Sequence, residues 1–357
     1  MRRVTNLFVV LGAGAIGLAL VGGAASKTAP SRPKIRYTRA KIEALAIDGN
    51  RIAYDVGYAL GKNNNTVLVW NVGTGKTTLV SGKRTRTVDD SSTGSGVFQL
   101  AIAGTRVAWL ANVGGNTEGD DYLFSSSVTK PKERRLATKT RFGDNCPGRS
   151  AHCAGEWLGG LAGAGRLIAL NQWTTDGSGA ITDGELDLLN GTTLKQVATG
   201  PDTVQAGSAD RGRVAVLRSD GSVGLYASSG NLLRTVATPA TTASVALSGH
   251  NLVVLTKTRK LQLYYAPSGS PSKTFFARGS GTLGNLDVHG SIAIYSVGTS
   301  VHALNLGNGK DRVVGKLSRS IGLARIGSAG VVYSNSPYAS KGTLVFLPFA
   351  RVAATVS

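Results

Sequence analysis

The stretch Leu45-Ala-Ile-Asp-Gly-Asn-Arg-Ile-Ala-Tyr54 reads as a short strand, a glycine turn and a second strand, and this second strand recurs along the chain. Each copy has an apolar residue, a small or β-branched residue and another apolar residue in succession. The seven copies are Arg51-Ile-Ala-Tyr54, Arg106-Val-Ala-Trp109, Leu167-Ile-Ala-Leu170, Arg213-Val-Ala-Val216, Asn251-Leu-Val-Val254, Ser291-Ile-Ala-Ile294 and Gly330-Val-Val-Tyr333. Repetition of one strand pattern at this scale indicates a single repeat architecture.

The spacing of the copies predicts propeller blades. Their third residues, from Ala53 to Val332, are 55, 61, 46, 38, 40 and 39 positions apart, so the basal period is near 39 and the first units carry insertions. A third strand alternates apolar and polar residues, as in Lys260-Leu-Gln-Leu-Tyr264, and glycine turns follow it. We therefore expect an all-β, seven-bladed propeller of four-stranded antiparallel blades. A stacked β-solenoid, the alternative, has shorter repeats of about 20–30 residues.

The repeat divides the chain into seven predicted blades. They cover approximately residues 42–83, 97–139, 156–200, 203–238, 241–278, 282–318 and 320–357. Two ways of closing the ring remain open: the outer strand of the last blade is either Arg351 to Val356 or a segment near Ile35 to Tyr37 added from the other end of the chain.

The blade pattern resembles that of secreted bacterial WD40-like propellers, including TolB-like and PQQ-like repeat proteins. The resemblance covers about residues 42–357 and rests on a degenerate pattern; Leu68-Val-Trp-Asn71 is the nearest approach to a Trp-Asp signature. These proteins share a scaffold and differ in role, so the resemblance implies binding or scaffolding without naming a ligand.

The amino-terminal residues have the layout of a secretion signal. Arg2 and Arg3 precede an apolar run from Leu7 to Val21, and small residues follow up to Ser26. We expect residues 1–26 to be a cleaved signal peptide, residues 27–41 to be a basic tether, and the protein to be secreted or extracytoplasmic, in the cell envelope. The apolar run is also long enough to remain as a membrane anchor.

The charge balance is strongly basic, at +20. Such a surface favours polyanions such as the phosphate-bearing polymers of a cell wall, or else serves only solubility; predicted export argues against nucleic acid as a partner. The acidic residues are concentrated, because 12 of the 20 lie between Asp89 and Asp187.

The long connections predict a contact surface. In a propeller the b–c loops and d–a links share one face, and every large insertion belongs to such a connection in blades one to three. We expect this face to bind a protein or an envelope polymer. The candidate binding residues are Asn112, Glu118, Asp120, Asp121, Asp144, Asp176, Asp183 and Glu185.

Two segments of this region have ligand-like spacing. Cys146 and Cys153 predict a small disulfide loop, since with His152 they would leave tetrahedral zinc one ligand short. The segment Asp176 to Asp187 resembles a calcium loop in which Asp176, Ser178, Asp183 and Glu185 would be ligands, or it is a polar hairpin whose Asp-Gly steps make turns. We expect no other cofactor.

The leading interpretation is a monomeric, non-enzymatic binding or scaffold propeller that contacts its partner through the loops of blades one to three. None of the four histidines (His152, His250, His289 and His302) has neighbours that suggest a triad or metal cage. The alternatives are a propeller enzyme of the hydrolase or lyase type with a site at the channel mouth, and a protein that binds a wall polyanion. The inner-strand polar candidates for the enzyme are Gln99, Gln205, Asn285, Asp287 and Arg325.

Overall fold

The computed structural model describes residues 32–57, 65–86, 96–114, 119–142, 154–200, 205–317, 323–338 and 341–357. The strands of the first half, in chain order, are β1 (Lys34–Thr38), β2 (Leu45–Asp48), β3 (Arg51–Val56), β4 (Thr66–Asn71), β5 (Thr77–Leu79), β6 (Gly96–Ala103), β7 (Arg106–Gly114), β8 (Gly119–Ser127), β9 (Arg134–Phe142), β10 (Gly155–Ala164), β11 (Leu167–Thr175), β12 (Ile181–Asn190) and β13 (Thr193–Thr199). A short helix, α1 (Lys83–Arg86), lies between β5 and β6.

The second half of the chain continues the same pattern and ends in a helix. Its strands are β14 (Gln205–Asp210), β15 (Arg213–Leu217), β16 (Val223–Ala227), β17 (Leu232–Val236), β18 (Thr242–Ser248), β19 (Asn251–Thr256), β20 (Lys260–Tyr265), β21 (Ser270–Phe276), β22 (Leu283–His289), β23 (Ile292–Val297), β24 (Ser300–Asn305), β25 (Asp311–Lys316), β26 (Ala324–Gly327), β27 (Gly330–Tyr338) and β28 (Lys341–Pro348). The closing helix is α2 (Phe349–Val356).

These strands form seven four-stranded antiparallel sheets, which confirms the seven-bladed propeller. Blades one to six each use four consecutive strands, beginning at β2, β6, β10, β14, β18 and β22. The inner strands contact one another in sequence, and β26 returns to contact β2, so the ring is closed. All seven predicted second strands are the second strands of their blades.

The last blade shows how the ring closes. Its sheet has the order β1-β28-β27-β26, with Lys34 opposite Phe346 and Thr38 opposite Gly342. The segment predicted to be a tether therefore supplies an outer strand, and the expectation that all of residues 27–41 form a tether is wrong. Residues Phe349–Val356 are helical, with Val352 and Val356 buried one turn apart on one face, so they are not the outer strand.

The core is divided into seven clusters, one between each pair of neighbouring blades. Trp109 is fully buried in the cluster between blades one and two, where it stacks on Phe124. Trp70 lies between blades seven and one, with an edge contact to Phe346. Both tryptophans therefore pack blades together, as their place on interior strands suggests.

A reciprocal hydrogen-bond clamp joins several blades at their a–b turns. Asp48 accepts from the backbone N–H of Gly104 in the next blade (2.6 Å), and Arg51 donates to the carbonyl of the same glycine (3.2 Å). The same two-way contact joins Asp210 and Arg213 to Gly249, and Ser248 and Asn251 to Gly290. The polar residue that begins several of the repeated second strands therefore ties one blade to the next.

The antiparallel order gives the ring two different faces. We call the face that carries the b–c connections and d–a links the insertion face, and the face that carries the a–b and c–d turns the turn face. On the insertion face two predicted loops are partly strand, because β7 and β8 pair as far as Gly114 and Gly119, and β11 and β12 leave only residues 176–180 between them. The insertions of blades two and three are therefore long hairpins.

Candidate site at the channel mouth

A cavity of about 730 Å³ occupies the centre of the ring at the insertion face. We call it the channel cavity. Residues at the start of the inner strand of nearly every blade line it, together with Asn112, Asp121 and Trp173 from the second and third strands of blades two and three. Its volume is in the range of small-molecule sites.

Two tryptophans form a flat aromatic wall in this cavity. Trp157 and Trp173 are opposite partners on β10 and β11, and their rings are parallel within 5° at a centroid distance of 6.4 Å. Trp157 Nε1 donates to Thr175 Oγ1 at 3.0 Å, which fixes its ring. A Cβ atom at Gly159 would lie 2.7 Å from the Trp173 ring, so only glycine lets that ring lie flat on the inner strand.

The pair was not among the predicted site residues, because its pairing depends on an irregularity of the hairpin. Regular pairing on either side of the Gly165-Arg166 turn would place Trp157 opposite Thr174, and only a shift of one residue brings it opposite Trp173. The register shifts between Gly159 and Ala162, and this bulge determines which side chains of β10 meet β11.

Asn112 and Asp121, both predicted binding residues, lie side by side in the channel cavity. They are opposite partners on β7 and β8. Asp121 is only 2% exposed, and its Oδ2 accepts from Leu158 N at 3.4 Å, across the blade interface. Asn112 Oδ1 accepts from Gly96 N at 3.1 Å. These two hydrogen bonds fix the start of the inner strands β6 and β10. Asn112 and Asp121 therefore line the channel cavity instead of the loops where they were predicted.

Polar side chains of three other inner strands also line the cavity. Gln99 Oε1, on blade two, accepts from Leu161 N on blade three at 2.9 Å, and Asn285 and Arg325 line the cavity from blades six and seven. Burial raises the pKa of Asp287, and the Arg325 guanidinium opposes that rise; burial lowers the pKa of Arg325. Asp287 Oδ2 also accepts from Ile326 N at 3.0 Å, so this pair joins blades six and seven. The side chain of Gln205 lies outside the described residues.

A buried carboxylate lies behind the rim of blade one. Asp55 is 0% exposed, and its Oδ1 accepts from Glu43 N (2.7 Å) and Ala44 N (2.8 Å), the residues that lead into β2. Burial raises the pKa of Asp55 to about 7, against the opposing effect of these backbone hydrogen bonds. The main chain at this part of the rim is therefore held by a group that titrates near neutral pH.

The hairpin that resembled a calcium loop is closed by its own hydrogen bonds. Asp176 Oδ1 accepts from Ser178 N, Ser178 Oγ and Ala180 N, and Asp183 Oδ1 accepts from Gly184 N. These contacts hold the pKa of Asp176 below its ordinary value. Within the described ranges no three acidic, histidine or cysteine side chains are grouped so that they could hold a metal ion.

The other predicted residues are spread over the insertion face or lie outside the described residues. Asp120 accepts from Tyr122 Oη and Thr140 Oγ1, both at 3.0 Å, and Glu185 lies within reach of Gln172. Glu118, Asp144, Cys146, Cys153 and the predicted signal are outside the described residues. No described helix is long and apolar enough to cross a membrane.

His302 is part of a buried network inside blade six. Its Nδ1 lies 2.9 Å from Asp311 Oδ1, Asp311 accepts from the Tyr295 hydroxyl, and the rings of Tyr295 and His302 stack at 4.9 Å. Burial and the neighbouring carboxylate both raise the pKa of Tyr295. All three side chains are enclosed by the blade, so the network joins strands rather than facing the channel.

Comparison with solved structures finds other chains of the same fold. No family model matches the chain, and no curated protein matches it. Among solved structures, a chain of the mitotic checkpoint complex has a TM-score of 0.55 at 13% identity, over 97% of this chain and 99% of that one. Two further matches are Sqt1 of Saccharomyces cerevisiae (TM-score 0.47, 11% identity, 87% and 97% covered) and BamB of Moraxella catarrhalis (0.45, 11%, 86% and 85%). The class defined by the fold is the seven-bladed β-propeller.

Proposed function

We propose that this chain is a non-enzymatic binding propeller of the cell envelope, which holds a protein partner over the channel mouth on the insertion face. The observation that supports it most directly is the paired indole wall of Trp157 and Trp173, half-buried in a cavity of about 730 Å³. Half-buried aromatic side chains in a concave, polar-rimmed site are the usual centres of protein interfaces.

The polar groups of the cavity favour binding over chemistry. Gln99, Asn112 and Asp121 each have a side-chain oxygen that accepts a backbone N–H of an inner strand. Side chains used in this way keep the mouth rigid, and rigidity lowers the entropic cost of binding.

The charge around the mouth indicates the kind of partner. Glu43 lines the cavity, and Asp120, Asp183 and Glu185 lie on the insertion hairpins of blades two and three. Two cations of this face are already paired with acids: Lys41 with Glu43 (2.6 Å) and Lys139 with Glu156 (2.8 Å). An acidic rim around an aromatic wall is complementary to a protruding segment that carries cationic and aromatic side chains.

Site-specific photo-crosslinking in the producing cells tests this proposal. A crosslinking residue at Gly177, on the insertion face, should give a discrete protein adduct, whereas one at Ser229, on the turn face, should not. The double change Trp157→Ala and Trp173→Ala should remove the adduct, and the matched control Tyr265→Ala, a 48% exposed aromatic at the end of the third strand of blade five, should retain it. An adduct that survives loss of both tryptophans, or equal capture at Ser229, would contradict the proposal.

The envelope location is tested separately. Residues 1–26 should export a reporter that is active only outside the cytoplasm, and a chain without them should stay inside the cell. Activity of the reporter independent of these residues would contradict the location and leave the binding test unaffected.

A further inference from the structure

On the opposite, turn face, a groove of about 1330 Å³ crosses blades two, three and four. We call it the basic groove. Of the described residues, seven cationic side chains and no aspartate or glutamate line it; the seven are Arg106, Lys130, Lys132, Arg134, Arg166, Lys195 and Arg211. All except Arg106 are exposed, so their charges face the groove and solvent.

These cations have no carboxylate partner among the described residues. The ion pairs that the structure shows there involve Lys41, Lys139 and His302. Two acids adjoin these cations in sequence, and both are used elsewhere. The Glu133 carboxylate accepts from Gly82 N, Thr85 N and the Thr85 hydroxyl in the link after blade one, and Asp210 accepts from Gly249 N in blade five. Uncompensated like charges repel one another, so a cluster of seven favours a polyvalent anion.

The acidic half of the blade clamp is missing from blades two and three. The positions of Asp48 and Asp210 in blades one and four are taken there by Ala103 and Ala164. The turn residue Arg166 of blade three lines the groove. No clamp carboxylate of blades two and three therefore offsets the cations of the groove.

One cation of the groove is held in an unfavourable backbone conformation. In five a–b turns the first turn residue is a glycine with φ between +54° and +63°: Gly49, Gly104, Gly165, Gly249 and Gly290. In blade four this residue is Arg211, with φ +45°. In the left-handed region the Cβ atom of a long side chain comes too close to the following carbonyl oxygen, and strain of this kind is concentrated at functional sites.

We infer that the basic groove binds a flexible, linear phosphate polymer, such as a wall polymer with a phosphodiester backbone. A groove between blades accepts a single extended chain along its length, whereas a flat membrane surface would contact only its edges. The spread of the cations over three blades matches a ligand with repeated charges rather than one small anion. This inference concerns the turn face and does not depend on the proposed function of the channel mouth.

Binding of inorganic polyphosphate to the purified chain tests this inference. The triple variant Lys132→Glu, Arg166→Glu and Arg211→Glu should lower the affinity at least a hundredfold at low salt, since each change removes a cation that contacts phosphate and adds a charge that repels it. The affinity of the unaltered chain should fall steeply with salt, and the variant should show a shallower slope. The matched control Lys257→Glu, Lys260→Glu and Lys316→Glu changes the net charge equally at exposed sites on blades five and six, and should change affinity less than tenfold.

A single substitution separates the effect of charge on polyphosphate binding from an effect on the stability of the fold. Arg211→Gly should raise thermal stability, because glycine adopts φ +45° without strain, and should still weaken polyphosphate binding. Equal losses in the triple variant and its control would overturn the inference, as would binding that Arg211→Gly leaves unchanged. The inference of a single-chain ligand would also be overturned by another result. In that result, duplex DNA or anionic phospholipid vesicles would bind as tightly as polyphosphate and lose the same affinity in the triple variant.

Discussion

The two faces of blades one to four are built from the same strands and yet differ in chemistry. On the insertion face, long hairpins enclose a cavity with an indole pair, amides and the buried Asp121. On the turn face, short turns keep the backbone regular and present seven cations along a groove. The difference shows that connection length decides what a propeller face can do: insertions shape a cavity, whereas tight turns can only vary the side chains that they display.

The largest expected effect is a pH dependence of stability that originates at Asp55, on the insertion face. Because burial raises the pKa of Asp55 to about 7 from an ordinary value near 3.8, the folded state binds a proton that the unfolded state loses first. The contribution of Asp55 to stability should therefore be complete below about pH 4 and should be lost as pH rises to about 7, by up to about 4 kcal/mol in total at 1.36 kcal/mol per pKa unit. The difference in urea unfolding between the unaltered chain and Asp55→Asn, from about pH 3.5 to 8, measures this contribution.

The control for this prediction lies on the turn face. Asp48→Asn should leave the pH dependence of stability intact, and Asp55→Asn should remove most of it. A pH profile that is the same in both variants would show that the dependence originates elsewhere.

The next effect tests how the insertion face holds its aromatic wall. Gly159→Ala adds a Cβ atom 2.7 Å from the Trp173 ring, so the ring must move, at a cost of about 1–3 kcal/mol. We expect a lower Tm and a changed near-ultraviolet circular dichroism signal from the stacked indoles. Gly177→Ala, in the hairpin of the same blade, has open space around its Cβ position and should change neither.

A smaller effect is expected on the turn face. Asp48→Ala removes an acceptor of the Gly104 N–H at 2.6 Å and of the Gly165 N–H at 3.2 Å, and should cost about 1–2 kcal/mol. Asp48→Asn keeps a side-chain acceptor and should cost less. Equal losses in the two variants by urea unfolding would mean that the clamp acts through charge rather than through the hydrogen bonds.

The smallest effect concerns calcium and the hairpin between β11 and β12. Since Asp176 Oδ1 already accepts three hydrogen bonds from its own loop, calcium should leave Tm unchanged, and isothermal titration should show no heat. Saturable heat that is lost in Asp183→Asn would instead establish the calcium site, and would give the insertion face a cation that the turn face lacks.

Much of the fold was predictable because blades are built from local hairpins. The strand beginning at Arg51 and the strand beginning at Asn251 have the same pattern because each pairs with the strand just before it and the strand just after it. The alternation of apolar and polar residues along a strand, and the glycines at the turns, indicate such local pairing directly. The prediction of a contact face over blades one to three also anticipated Asn112 and Asp121, though not their position at the channel.

The sequence by itself determined the blade count, the phase of the repeat and the concentration of acids near the insertions. Only the tertiary structure decided that Lys34–Thr38 closes the ring, that the bulge after Gly159 leaves the two indoles stacked, and that cations from three blades share one groove. The physical reason is distance along the chain. Contacts within a blade join neighbouring strands and leave a periodic trace, whereas contacts between blades join residues about 40 positions or more apart, whose meeting depends on the geometry of the closed ring.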